Sequence, residues 1–306
     1  MNEYKLYVQD TGGKTIDKDA FEADTLRRAP WYQLGSSDKL AQFAVCPRCD
    51  NPIQLVGLYQ LPPNVKNPFG KHTTSGIHEI GPIDIEARDN CPYFNPRQHN
   101  KTDRKARFDG VPRKIVHLLI EQFDRVVYIL ETQTQVRLSQ KVLRGMLERY
   151  KAEQGYLYTG ATLRNVPWIF AYMSDATPLF AQRVGGNPEL VEAIKTHVPE
   201  AAINDDGRLL PSAPQGTRGA YLDIEVSFIK HRVVRGSETS GLSESMRLVL
   251  SQRRRGVLVD VYRQEIQFDP DGFERLINTR ADRAVRNLVK VQLAREVLGD
   301  LLKPRA

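Results

Sequence analysis

The chain is short of the residues that build a disulfide framework: its 306 residues include three cysteines and six histidines. An odd cysteine count argues against a secreted scaffold and for metal ligation or burial in a reducing compartment. Long hydrophobic runs are missing too. No window approaches the run of about 18 apolar residues that spans a bilayer, and the opening MNEYKLYVQDTGGK has no apolar segment of signal-peptide kind. These absences predict a cytoplasmic chain without a membrane partner. Motifs for covalent or nucleotide chemistry are also lacking, with no Gly-x-Ser-x-Gly and no Gly-x-x-x-x-Gly-Lys. The pairs Gly12-Gly13 and Gly185-Gly186 read as turns. His197 and His231 have no evident Ser or Cys nucleophile beside them, and His117 reads as structural, next to the apolar face of a helix.

What is present is a 41% hydrophobic chain with a formal charge of +7, and the charge is unevenly spread. Arg97 to Lys114 holds seven Lys/Arg against two acids, and Lys230 to Ala306 holds sixteen against ten, so the rest of the chain is net acidic. Concentrated positive charge is the footprint expected of a phosphate-binding surface, although a basic run can equally be a solvated face.

Periodicity divides the chain into three stretches. Residues 1–110 carry one short polar helix candidate, DKDAFEADTLRRA, and a Pro/Gly-punctuated run from Cys46 to Cys91 whose apolar segments suit short strands and loops. Such a region buries little apolar area and needs a staple. Residues 111–200 read as helical. Ile115, Leu118, Leu119, Phe123, Val126, Val127 and Leu130 recur at helical spacing in PRKIVHLLIEQFDRVVYILE, Ser139 caps a second helix ending near Gly155, and ATLRNVPWIFAYMSDA makes a third, kinked near Pro167. A Pro/Gly/Asp-rich boundary at about 200–218 precedes a mixed part, 218–306. There AYLDIEVSFI and GVLVDVYRQEIQFD alternate as strands, DPDG reads as a turn, and TRADRAVRNLVKVQLAREVLGDLL closes the chain as a helix with Arg283, Arg286 and Lys290 on one face. The fold class expected is α+β: a small zinc-stabilised N-terminal module, a helical middle and a mixed strand-helix C-terminal part.

Cys46-Pro-Arg-Cys49 is the most specific local signal. Two thiolates separated by two residues reach one tetrahedral metal through a tight turn, and the flanking strand-like runs resemble a zinc knuckle more than a redox pair at a helix start. Cys91 supplies a third sulfur. The fourth ligand must then be a histidine: His72 is favoured, ahead of His99 and then His78. With four protein ligands the Zn2+ is structural, since no position is left for an activated water.

The expected function is nucleic-acid binding, DNA or RNA. Lys101, Arg104, Lys105 and Arg107 after the metal site, together with Arg253, Arg254, Arg255 and the C-terminal Arg/Lys face, would contact the phosphate backbone. Two alternatives stand beside it. Asp-Ile-Glu occurs at Asp84 to Glu86 and at Asp223 to Glu225, and the second pair could hold a catalytic cation in a metal-dependent nuclease, although a solvated strand face needs the same acids. The other is a scaffold whose zinc module docks a protein partner.

Overall fold

The structure, a computed structural model, describes residues 1–35, 38–212, 222–236, 241–279 and 286–303. It is an α+β fold. The N-terminal part comprises β1 (Glu3–Tyr4), β2 (Lys14–Thr15), α1 (Lys18–Thr25), β3 (Tyr32–Leu34), β4 (Leu40–Val45), β5 (Pro52–Val56), β6 (Phe69–His72) and α2 (Ile85–Asp89). Strands β3 to β6 pair in sequence order as an antiparallel meander, and β1 pairs with β2. The Asp17 carboxylate accepts from the Ala20 amide and starts α1 where a polar helix was expected.

Helices follow: α3 (Gly110–Glu121), α4 (Phe123–Thr134), α5 (Gln140–Ala152) and α6 (Val166–Tyr172). The expected single helix over residues 112–131 is two, broken at Gln122 (φ −121°, ψ 19°). The break is held by tertiary contacts: Arg286 donates to the Glu121 carbonyl and clasps the Asp124 carboxylate, while Arg125 donates to the Gln122 side chain. Ser139 caps α5 as expected. Pro167 opens α6 and does not kink it, because its missing amide costs nothing in a first turn.

The remainder contains β7 (Thr177–Pro178), α7 (Pro188–His197), a small hairpin of β8 (Ala201–Ile203) and β9 (Leu209–Pro211), and three long strands, β10 (Ile224–Arg235), β11 (Leu242–Arg254) and β12 (Val257–Gln267). The sheet order is β12-β11-β10-β7, antiparallel. Leu222, Ile224, Val226 and Phe228 are buried, as their alternation requires. DPDG forms the capped start of α8 (Pro270–Ile277), not a turn, with Asp269 accepting from the Gly272 amide. The last helix is α9 (Leu288–Leu298). Residues 280–285, and with them Arg283 of the expected basic face, lie outside the described residues. Arg286 and Lys290 do not make a solvated face: they pair inward with Asp124 and Glu131 of α4.

One cluster of buried apolar side chains runs from Tyr4 to Leu298. Among the described residues no helix is long and apolar enough to cross a membrane.

Candidate metal centre and basic surfaces

Three strands and one short helix bring four ligating side chains together. Cys46 follows β4 directly and Cys49 sits in the turn before β5; Cys46 donates its amide to the Asn51 carbonyl (2.8 Å) and accepts from the Asp50 amide (3.0 Å). Asp50 occupies the left-handed region at φ 61°, and its carboxylate receives Lys5 (2.5 Å) and Lys114. His72 ends β6, opposite Ile53 of β5. Cys91 follows α2, whose start is capped by Asp84.

The ligand atoms of Cys46, Cys49, His72 and Cys91 all lie within 4.8 Å of one another, and all four residues are buried. A tetrahedral centre with metal–sulfur bonds of about 2.3 Å and metal–nitrogen bonds of about 2.0–2.1 Å sets sulfur–sulfur edges of about 3.8 Å and sulfur–nitrogen edges of about 3.5 Å. The Cys46 and Cys91 sulfurs are 3.8 Å apart, and Cys49 Sγ is 3.3 Å from His72 Nε2. The four side chains can therefore hold a metal ion.

Electrostatics favour the same conclusion. Burial pushes the Cys49 and Cys91 thiols up, and the neighbouring Cys46 sulfur adds to this. Burial acts on Cys46 as well, but hydrogen bonds from Cys49, Cys91 and His72 outweigh it and bring that thiol down. The cluster thus favours one thiolate by itself, and a second or third needs a cation at its centre.

Side chains that sequence reasoning missed hold the centre in place. Asn51 Nδ2 donates to the Cys49 carbonyl (3.1 Å) and lies 3.5 Å from Cys49 Sγ, while its Oδ1 accepts from the Asp84 amide (2.8 Å). Phe94 meets the His72 ring edge to face, and Arg88 lies over Phe94. Arg48, inside the Cys-Pro-Arg-Cys turn and only 2% exposed, pairs with Glu244 of β11. Glu244 also accepts from Asn165 (2.7 Å) and lies 3.2 Å from His231 Nε2. Burial pushes Glu244 up, but Arg48 and His231 outweigh it and hold it at about 2. Nothing local marks Glu244, since its partners are remote in sequence.

The other candidate ligands lie elsewhere. His99 is buried with Nδ1 2.8 Å from the Thr159 hydroxyl, and burial lowers its pKa to about 4. His78 is exposed. Asp84 and Glu86 are on α2, where Arg107 pairs with both. Asp223 pairs with Arg253 at 3.4 Å. Among the described residues the Cys/His group is the one cluster of three or more ligating side chains.

The two basic stretches have opposite surroundings. Lys105, expected on the surface, is buried: its ammonium donates to the Ala161 carbonyl (2.6 Å), and burial lowers its pKa to about 8. It cannot meet a phosphate from there. Arg104 donates to the carbonyls of Lys101 and Glu153, Lys101 pairs with Asp175, and the exposed Arg107 is ringed by Asp84, Glu86 and Asp109. Arg253, Arg254 and Arg255 instead sit at the tip of the β11–β12 hairpin, which turns through Arg255 (φ 48°) and Gly256 (φ 82°). From Arg253 to Asp260 every residue is exposed. Arg254 reaches the His197 carbonyl, and Arg255 makes no ion pair among the described residues.

Comparison with protein-family models, with curated proteins and with solved structures finds no match for this chain.

Proposed function

We propose that the cluster binds one structural zinc ion and that the chain binds nucleic acid through the β11–β12 tip. Three thiols and an imidazole are a soft, four-coordinate donor set that suits zinc and not magnesium or calcium. A filled tetrahedron stabilises and does not catalyse. Three free, buried cysteines fit a reducing, cytoplasmic setting.

The observation that carries the nucleic-acid reading is the projecting tip, in which three consecutive arginines occupy the exposed end of a hairpin. Arginine presents a planar fork of donors to phosphate, and a two-residue turn between paired strands has little backbone freedom to lose on binding. The footprint is accordingly on Arg253, Arg254 and Arg255, with Lys101, Arg104 and Arg107 contributing only to the field around it. A nuclease at Asp223 and Glu225 is disfavoured, because among the described residues neither belongs to a cluster of three or more ligating side chains.

The test is binding to a labelled duplex and to single strands across a range of salt. Affinity should fall steeply with salt, and changing all three arginines to alanine should reduce the log–log slope by about 2 to 3. Binding unaffected by that triple change, or undetectable at low salt, would leave the tip to a protein partner and overturn the reading.

A further inference from the structure

A cleft of about 370 Å³ opens between the N-terminal loop Val8–Gly12, α3 and α8, with Pro47 of the cysteine turn at its edge. No role in metal binding or in the arginine tip accounts for it. Its walls are mostly apolar, from Leu118, Leu163, Phe273 and Ile277, and its size falls within the range of about 300–1,000 Å³ typical of small-molecule sites.

The loop is laid tightly on α8. Gly12 has φ 93°, a conformation that L side chains rarely adopt, and a β-carbon there would force the Glu274 carboxylate out of its present place. The Gly13 amide donates to Glu274 (3.1 Å). Arg164 forms part of the wall although its side chain is 2% exposed, and Glu3, Asp271 and Glu274 all pair with it. Its Nε–H has no acceptor, and neither does the buried Glu3 Oε2 have a donor.

Charge defines what the cleft accepts. Its two cations are committed: Lys114 to Asp50 and the Val8 carbonyl, Arg164 to its carboxylates. Three carboxylates line the cleft against two cations: Asp10, which among the described residues receives the Tyr7 amide, Glu121, which pairs with Arg295, and Glu274, which pairs with Arg164 and receives the Gly13 amide. The lining is therefore short of positive charge in a chain whose formal charge is +7. A carboxylate or phosphate entering here would meet an excess of acids, whereas an ammonium would meet partners.

We propose that this cleft binds a small organic cation with an apolar body, its ammonium among Asp10 and Glu274 and its body against Leu118, Phe273 and Ile277. The site is separate from the metal cluster and from the arginine tip, so it stands whether or not the chain binds nucleic acid.

The experiment is calorimetric titration of the full-length, metal-loaded chain with L-phenylalaninamide, 3-phenylpropanamide, which lacks the ammonium, and 3-phenylpropanoate, an anion of the same size. Phenylalaninamide should bind, the neutral amide at least tenfold more weakly and the anion not at all. Asp10→Asn should weaken phenylalaninamide about tenfold, and Ile277→Trp, which fills the cleft, should abolish binding while circular dichroism and metal content stay unchanged. Preference for the anion, equal binding of the neutral amide, no binding of any probe, or undiminished binding to Ile277→Trp would each overturn the proposal.

Discussion

Lys101 to Arg107 and Arg253 to Arg255 look alike in the sequence and have opposite fates. The first stretch follows Cys91 and crosses the body beside residues 157 to 159, where the Lys105 amide bonds to the Leu157 carbonyl and Arg104 bridges to Tyr158. Running against other chain on its way to α3, it finds an acceptor for every cation. The second stretch occupies a turn between two long strands that outrun the elements packed on them, and most of its charge faces water. Density of charge along a chain says how many phosphates it could meet; whether neighbouring backbone consumes that charge is a question of path.

The comparison breaks most sharply at the metal-anchored end. Cys91→Ser should remove the metal, measured by elemental analysis, and with it an apparent stabilisation of about 10–16 kcal/mol, so residues 46–99 should lose protection in hydrogen exchange. Retained metal and retained protection would sink the assignment. Arg48→Met takes from the buried Glu244 its arginine, leaving it Asn165 and His231, and should cost up to about 3–5 kcal/mol in urea unfolding. Adding Glu244→Gln should recover part of that loss.

Subtler contrasts follow. Lys105 has a pKa lowered to about 8 from an ordinary 10.5, so its charged form is disfavoured in the folded state. In that interval the unfolded chain binds more protons, and this residue makes stability rise between about pH 8 and 10.5. Lys105→Met should flatten the rise relative to the parent, which paired unfolding curves at the two ends of the interval will measure. His99, with a pKa lowered to about 4, contributes with the same sign at lower pH: stability is lost as pH falls from about 6.5 toward 4, and His99→Gln should remove that loss. The smallest effect belongs to the tip. Changing Arg253, Arg254 and Arg255 to alanine should move stability by no more than about 0.5 kcal/mol each, because none is buried. A large destabilisation there would erase the contrast between the two stretches.

How far the sequence could be read depended on whether a feature was local. Helix α5 with its Ser139 cap and the inward row of β10 were legible, since period and cap chemistry lie within a few residues. So was the cysteine set, through its spacing and the absence of a fourth sulfur; His72 was picked over His99 and His78 on little more than its place after a turn. Strand β11 went unread because its inward row runs Glu244, Met246, Leu248, Leu250 and Gln252, all buried. Polar residues at both ends of a core-facing row disguise it, and what permits them is remote from that row: Arg48, His231 and Asn165 for Glu244, and Glu200 for Gln252. The break at Gln122 was hidden for the same reason, its cause being Arg286 from the far end of the chain.

Arg48 also carries a consequence in time. Its partner Glu244 lies 196 positions later. As the chain emerges during synthesis, Cys46, Cys49, His72 and Cys91 are all present long before β11, so the cysteine turn can close while its arginine still lacks its carboxylate partner and has water in that place. Closing the salt bridge is then a late event, which expels that water and joins a finished N-terminal part to the newly made sheet.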